Sequence, residues 1–165
     1  MNSQKLTFKD YFKSIQVIHF ALMGGVVFFT AISIILQMDG PFVDGVAEMN
    51  FALIYVVPAF TIMGIFTSNF MFKQRLKESL SKVNLKEKLD LYRSALIIKF
   101  ALIEGPSFFA VIAYILTGNL IYTGIIVLLL AVFWIYRPTK EKLILDLELT
   151  HTERQIVEAP NGIID

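Results

Sequence analysis

A carboxyl group inside an apolar stretch is the feature of this 165-residue chain best placed to do chemistry. Glu104 lies within the apolar segment 94–116, ten positions beyond Ser94, which is about 15 Å at the rise of an α-helix. An ionisable group at that depth in a bilayer is costly unless it is paired, neutral or hydrated, and it is a functional candidate by default. We therefore expect Glu104 to bind and release a proton or cation. The alternative is a protonated or hydrogen-bonded group that only holds helices together.

Four residues are candidates to support this acid. Pro106 has no N–H group, so it frees the carbonyl of a residue one turn earlier and favours a kink beside Glu104. Thr61 lies one turn beyond Pro58, which frees the carbonyl of Ile54 in the same way. Lys99 and His19 occupy matching positions in two apolar segments, where Lys99 can extend toward water. For His19 alone, a structural role is favoured.

Other kinds of chemistry lack the residues they need. Gly24 and Gly25 lie within an apolar segment, so they favour close helix approach and not phosphate binding. The chain has no Cys, and its two His lie in different segments, so we expect no metal site and no cofactor. No nucleophile stands beside a base, which argues against an enzyme. A net charge of +1 argues against nucleic acid as the main partner.

The composition indicates a membrane protein. Apolar residues make up 56% of the chain, charged residues only 18%, and the mean hydropathy is +0.64. A spanning helix needs about 17–25 residues. Segments of that length lie at 14–36, 51–72, 94–116 and 120–136. The first is too long for the apolar part of a cleaved signal peptide, so we expect a permanent anchor.

The basic residues predict the orientation. Lys and Arg precede the first segment, follow the second and follow the fourth, whereas 37–50 and 117–119 contain none. The positive-inside rule then places both termini and the middle loop in the cytoplasm, in a cell (inner) membrane. Segments 73–93 and 137–158 are predicted cytoplasmic helices, with helix starts at Asn84 and Thr150. We expect a single membrane domain over 1–165.

An offset of 80 residues aligns the first segment with the third at 11 of 23 positions, including Gly25 with Gly105. Shared membrane composition is one explanation, and a duplicated hairpin is the sharper one. The fold class predicted is therefore an all-α polytopic membrane protein, with four transmembrane helices arranged as two parallel-repeat hairpins.

The stretch Ala101-Leu102-Ile103-Glu104-Gly105, with its apolar continuation to Leu116, resembles the acid-bearing helix of rotary ATPase proteolipid, or c, subunits. The resemblance implies that Glu104 is the ion-binding carboxylate. It is local. The second segment lacks that family's alternating glycines, and the acid lies in the third helix, not the second or fourth.

Two functions follow from these observations. The first is a small oligomeric subunit that moves protons or cations with Glu104. The second is a non-catalytic membrane scaffold or accessory subunit that docks through its cytoplasmic helices. Both imply the lipid bilayer and either a homo-oligomer or a membrane complex as partners.

Overall fold

The computed structural model describes residues 7–39, 46–159 and 162–164. Most of this chain is helical. The helices are α1 (Phe8–Leu36), α2 (Val46–Leu80), α3 (Leu85–Thr117), α4 (Leu120–Ile135), α5 (Lys140–Asp146) and α6 (His151–Glu158), with a short 3-10 helix at Gln37–Asp39. Residues 40–45 of the predicted outer loop 37–50 lie outside the described residues, and the rest of that loop belongs to the 3-10 helix and to the start of α2.

Three of these helices, α1 to α3, are long and apolar enough to cross a membrane, and the number becomes four if the bent pair of α4 and α5 counts as one span. α4 alone has 16 residues, which is about 24 Å of helix. The chain is therefore a helix-rich protein with the elements of a membrane protein. The all-helical prediction is confirmed to that extent.

Local signals explain where the helices begin and end. α3 starts at Leu85 because the Asn84 side chain accepts a hydrogen bond from the amide of Lys86 at 2.7 Å. It stops at Thr117 because Gly118 adopts φ +65°, which ends an α-helix at low cost for glycine. The predicted capping box at Thr150 is confirmed, with Glu153 as its partner.

The chain divides into two compact units. We call the first the apolar unit; its described residues are 21–39, 46–69 and 100–136. We call the second the polar unit; its described residues are 7–20, 70–99, 137–159 and 162–164. Every described Lys and Arg belongs to the polar unit. The charge pattern seen in the sequence thus coincides with a division in the fold.

The apolar unit has a core of aliphatic and aromatic side chains from α1 to α4, centred on Val26, Val57, Val111, Tyr122 and Ile126. Its surface is also apolar: Phe66 is 73% exposed, Ile62 69% and Ile35 65%. Exposed patches of this size are unfavourable in water and ordinary in lipid. The surface therefore agrees with helices that lie in a bilayer.

Polar contacts lie at both ends of the apolar unit. At one end, the Asn50 side-chain oxygen accepts hydrogen bonds from the Tyr122 hydroxyl at 2.9 Å and the Asn119 amide at 3.1 Å. At the other, the Asn69 amide donates to the Tyr136 hydroxyl at 2.8 Å. The nineteen residues from Asn50 to Asn69 correspond to about 28 Å of helix, close to the roughly 30 Å hydrocarbon core of a bilayer.

The polar unit packs both ends of the described chain together. The amide of Phe8 donates to the carbonyl of Gly162 at 2.8 Å, and Thr7 pairs with Ile163 in an isolated antiparallel bridge. The Tyr11 hydroxyl donates to the carbonyl of Leu89. The start of α1 and the residues after α6 therefore lie side by side.

Candidate functional site

Glu104 lies on α3 at the boundary between its buried and exposed faces. Its side chain is half-buried, the neighbouring Ala101 and Gly105 are exposed, and Ile103 and Ser107 are fully buried. Glu104 makes no hydrogen bond or ion pair with any residue that the structure describes. The carboxyl group thus reaches a partly open surface without a partner among the described residues.

The side of α3 that faces α2 is identified by Pro106 and the carbonyl of Leu102. A methyl group placed on Gly64 of α2 would lie 2.5 Å from Cγ of Pro106 and 2.8 Å from that carbonyl oxygen. Leu102 and Pro106 are each two residues from Glu104, which corresponds to about 200° around the helix axis at 3.6 residues per turn. Glu104 therefore points away from α2.

The opposite side of α3 faces α1. Phe108, one turn beyond Glu104 on the same side, packs its ring against that of Phe29 with the centroids 5.3 Å apart. A methyl group placed on Gly25 of α1 would lie 3.8 Å from Cζ of the Phe108 ring. Glu104 is thus at the edge of α3 nearest α1.

Thr61 is 4% exposed, and its hydroxyl has no hydrogen-bond partner among the described residues. It belongs to α2, from which Glu104 points away. The role of Thr61 as a residue that supports Glu104 therefore stays a prediction. Thr61 instead leaves a polar group inside the apolar unit.

Gly24 and Gly25 make no tight contact with another helix among the described residues. A methyl group on Gly24 would meet nothing within 4 Å, and one on Gly25 would make an ordinary contact. A role of these two glycines in close helix approach therefore stays a prediction. Gly64, whose role the sequence pattern did not reveal, makes the tight approach.

Of the two polar contacts at the ends of the apolar unit, the Asn69–Tyr136 hydrogen bond lies nearer to Glu104. Gly64 marks the level of Glu104 on α2, and it lies five residues from Asn69 but fourteen from Asn50. These separations correspond to about 7.5 Å and about 21 Å along the helix. Glu104 is therefore about a quarter of the way between the two polar contacts.

His19 and Lys99 belong to the polar unit, not to the unit that holds Glu104. His19 is fully buried, and its ring packs edge-on against Phe20 with the centroids 5.3 Å apart. Lys99 is 7% exposed, and its ammonium nitrogen lies 4.5 Å from the centre of the Phe72 ring. This is a cation–π contact.

A groove of about 230 Å³ opens between α2 and α3 next to this site. Its walls are apolar or small side chains: Phe60, Met63, Gly64, Thr67, Ala101, Leu102, Gly105 and Pro106. Gly105, which lines the groove, directly follows Glu104 in the sequence. A surface of this shape suits another helix or an acyl chain better than a hydrated ligand.

No group of three or more His, Asp or Glu among the described residues is placed to hold a metal ion. No family model, curated protein or solved structure matches the chain. Its class therefore follows from its own helices: a helix-rich protein with three, or up to four, candidate membrane spans.

Proposed function

We propose that the chain is a subunit of a membrane oligomer that moves protons or cations by loading and unloading Glu104. The observation that carries this proposal is the carboxyl group itself: half-buried, without a hydrogen bond or ion pair to any described residue, and flanked by exposed Ala101 and Gly105. A carboxyl group locked into an ion pair would favour a purely structural role. An acid without such a lock keeps its ability to exchange a proton.

An oligomer is part of the proposal because the face beside Glu104 suits a neighbouring helix. Small residues at Ala101 and Gly105, four apart, permit close helix contact within lipid. A second copy packed there covers the groove and borders Glu104 on the side of Ala101 and Gly105. Without that neighbour the carboxyl borders lipid, where an ionised group is costly.

The membrane orientation in this proposal has both termini in the cytoplasm. All described Lys and Arg fall in one unit, which is the asymmetry that the positive-inside rule uses. The Phe8–Gly162 hydrogen bond supports an even number of crossings, because it joins the two ends of the described chain. Four crossings place Phe8 and Gly162 on the same side of the membrane, whereas three crossings would place them on opposite sides.

The resemblance of 101–116 to proteolipid subunits and the duplicated hairpin belong to the same proposal. In that arrangement 14–72 superposes on 94–136 without inversion, and Gly25 and Gly105 lie at equivalent depths. Both stay predictions.

Ion flux in reconstituted vesicles tests the role of Glu104. We expect Glu104→Gln to abolish proton or cation movement while leaving fold and oligomer intact, since Gln keeps the shape and most of the hydrogen bonding. Glu104→Asp should keep part of the flux with altered pH dependence. Glu87→Gln, at an exposed position in the first turn of α3, is the matched control. Absence of wild-type flux under every gradient, or full flux in Glu104→Gln, would overturn the proposal.

Spin labelling tests the neighbouring subunit separately, and the absence of native Cys makes single-Cys variants straightforward. A nitroxide on Ala101→Cys should collide rarely with both oxygen and a water-soluble nickel complex. A label on Phe66→Cys, at a 73% exposed position, should collide often with oxygen. Equal oxygen access at the two positions would place lipid, not protein, beside Glu104.

A membrane accessory subunit is the second candidate. The polar unit favours it, because this unit has its own core and can present a defined surface to a partner; Phe8, Leu89 and Leu143 are nearly or fully buried. A wild-type protein without flux and a fully functional Glu104→Gln variant would leave this function in place of ion movement.

A further inference from the structure

The groove beside Glu104 continues along α2 and α3 into a wider part of about 490 Å³. Apolar side chains line this wider part: Val56, Ala59, Phe60, Met63 and Phe109. Phe60 and Met63 also line the narrower part, so the two parts are continuous. From Val56 to Thr67 they follow α2 for eleven residues, which is about 16 Å of helix. We call this surface the α2–α3 groove.

The helix α1 carries an exposed strip on another side of the apolar unit. Its members are all exposed and recur at intervals of three and four residues: Ala21, Gly24, Phe28, Ala31 and Ile35. This spacing keeps them on one side of the helix and is typical of helices that pack along their length. A methyl group on Gly24 would meet nothing within 4 Å, and Phe28 is 61% exposed. We call these residues the α1 strip.

Contacts between α1 and α3 relate the depths of the two surfaces. The ring of Phe29 packs against that of Phe108, and the Gln37 side chain donates a hydrogen bond to the carbonyl of Tyr114 at 3.0 Å. The two pairs are 79 and 77 positions apart in the sequence. The helices therefore run in the same direction, and a residue of α1 is level with the residue of α3 that follows it by 77–79 positions.

This offset matches the α1 strip to the α2–α3 groove in depth. Gly24 is level with residues 101–103, within one turn of Glu104. Phe28 is level with residues 105–107, between Gly105 of the narrower part and Phe109 of the wider part. Copies that share one orientation in a membrane also share these depths. The small residue of the strip therefore meets the narrower part, where close approach is needed, and its large ring meets the wider part.

The acid at the edge of the groove favours a helix over an acyl chain as the occupant. Glu104 makes no hydrogen bond or ion pair with the residues that the structure describes, and an acyl chain offers it no polar group. Because Gly24 has no side chain, the carbonyl of Ala21 in the preceding turn stays accessible. A carbonyl oxygen keeps a second lone pair beside its helical hydrogen bond. A protonated carboxyl group can donate to it.

We propose that the α1 strip of a second copy docks in the α2–α3 groove, so that copies with a common orientation pack head to tail in a closed ring. The inference rests on the oligomer of the proposed function and identifies the helix that borders Glu104. Because the strip and the groove are different surfaces, every copy uses both, and the contact repeats by rotation about the membrane normal. Each Glu104 then lies between α1 of its own chain and α1 of its neighbour.

Disulfide cross-linking in native membranes tests the contact, since the wild-type chain has no Cys. Two differently tagged variants, Ala21→Cys and Ala101→Cys, should form a mixed dimer on oxidation with copper phenanthroline when they are co-expressed. Each variant expressed alone should stay monomeric. The double variant Ala21→Cys/Ala101→Cys should give a ladder of multimers. Pairing Ala21→Cys with Phe66→Cys, a 73% exposed position two residues from Gly64, is the matched control. Its cross-linked yield should be at least about tenfold lower, because a disulfide forms only between adjacent backbones.

A bulky residue in the α1 strip provides a second test. Gly24→Leu should lower the yield of cross-links between positions 21 and 101 at least about tenfold, because the added side chain prevents close approach. Circular dichroism should show that its helices are kept, since the site is open within one chain. Gly124→Leu is the matched control: Gly124 is exposed on α4, and a methyl group there would also meet nothing within 4 Å. This variant should leave the yield unchanged.

Two results would overturn the docked strip. Cross-linking between two copies of Ala21→Cys would indicate a two-fold contact between α1 helices, and equal yields at Ala101 and Phe66 would leave the groove to lipid. Ion flux separates this inference from the proposed function. Flux that Glu104→Gln abolishes, without the cross-link between Ala21 and Ala101, would keep ion movement and reject the contact. The cross-link in a protein without flux would keep the contact and reject ion movement.

Discussion

A carboxyl group in an apolar stretch stays useful only if its surroundings leave it able to exchange a proton. Glu104 was predictable as a candidate because residue type and segment hydropathy are both local properties. Its edge position on α3 was not, because that depends on which neighbours α2 and α1 present at Gly64 and Phe29. Thr61 illustrates the same limit: spacing along the chain did not reveal that it lies on a helix from which Glu104 points away.

Glu153 differs from Glu104 because it is held in a largely buried ion pair. Glu153 pairs with Lys88 at 2.8 Å, and both side chains are only 12–13% exposed. Burial alone would raise the pKa of Glu153. Hydrogen bonds from the Lys88 ammonium group and from the backbone and hydroxyl of Thr150 outweigh it and hold that pKa below its usual value.

This pair predicts an acid-sensitive contribution to the stability of the polar unit. Because the folded-state pKa is lowered, the contribution is fully present above the unfolded pKa of about 4.3 and is lost as pH falls through the folded value. Glu153→Gln should therefore destabilise by about 2–4 kcal/mol at pH 7, and this difference should shrink below about pH 4. Thermal unfolding in detergent across pH measures it.

Glu78→Gln is the control for this prediction. Glu78 pairs with Arg75, but its side chain is 49% exposed, so its loss should change stability by less than about 1 kcal/mol. A pH-independent effect of Glu153→Gln would contradict the assignment.

Helix ends were the elements most open to prediction from sequence. Asn84 and the Thr150–Glu153 capping box act on amides within a few residues, so their spacing alone identifies them. Helix contacts were harder, because Gly24 and Gly64 are identical in type. Only the packing of α2 against Pro106 distinguishes them.

That difference gives a prediction for helix packing. Gly64→Ala should destabilise the protein by about 1–3 kcal/mol, since its methyl group would overlap Pro106 and the Leu102 carbonyl. Gly24→Ala should be neutral or slightly stabilising, because its methyl group meets nothing within 4 Å and alanine favours helix. Unfolding of the two variants in mixed detergent measures the contrast. Similar stabilities would contradict this packing.

The hydrogen bonds of Asn50 with Tyr122 and Asn119 predict that the stability effects of substitutions at Asn50 and Tyr122 depend on each other. Asn50→Ala removes the acceptor of both Tyr122 and Asn119 and should cost about 1 kcal/mol, in the range of hydrogen bonds between membrane helices. Tyr122→Phe removes one donor and should cost about 0.6 kcal/mol. In the double variant the costs should not add, and strict additivity in a double-mutant cycle would show that the contact does not form.

At the scale of the molecule, the number of crossings decides which residues share a side of the membrane. Hydropathy predicted four spans, yet α4 has only 16 helical residues. Composition cannot decide whether so short a helix crosses. The hydrogen bond between Phe8 and Gly162 is independent evidence on the number of crossings. It requires the start of α1 and the residues after α6 to lie on the same side of the membrane. Contacts between residues so distant in sequence leave no local pattern.

Reporter fusions test this topology. A reporter fused after Asp165 or inserted near Ser81 should be active in the cytoplasm, because Lys and Arg are concentrated in 73–93 and in 137–154, which follows the fourth segment. One inserted near Asp44 should report the opposite side, because 37–50 contains no Lys or Arg. If α4 did not cross, the reporter at Asp165 would move to the outside while the one at Ser81 stayed in the cytoplasm. That outcome would also separate Phe8 from Gly162 by a bilayer and break their contact, so a single measurement decides between three spans and four.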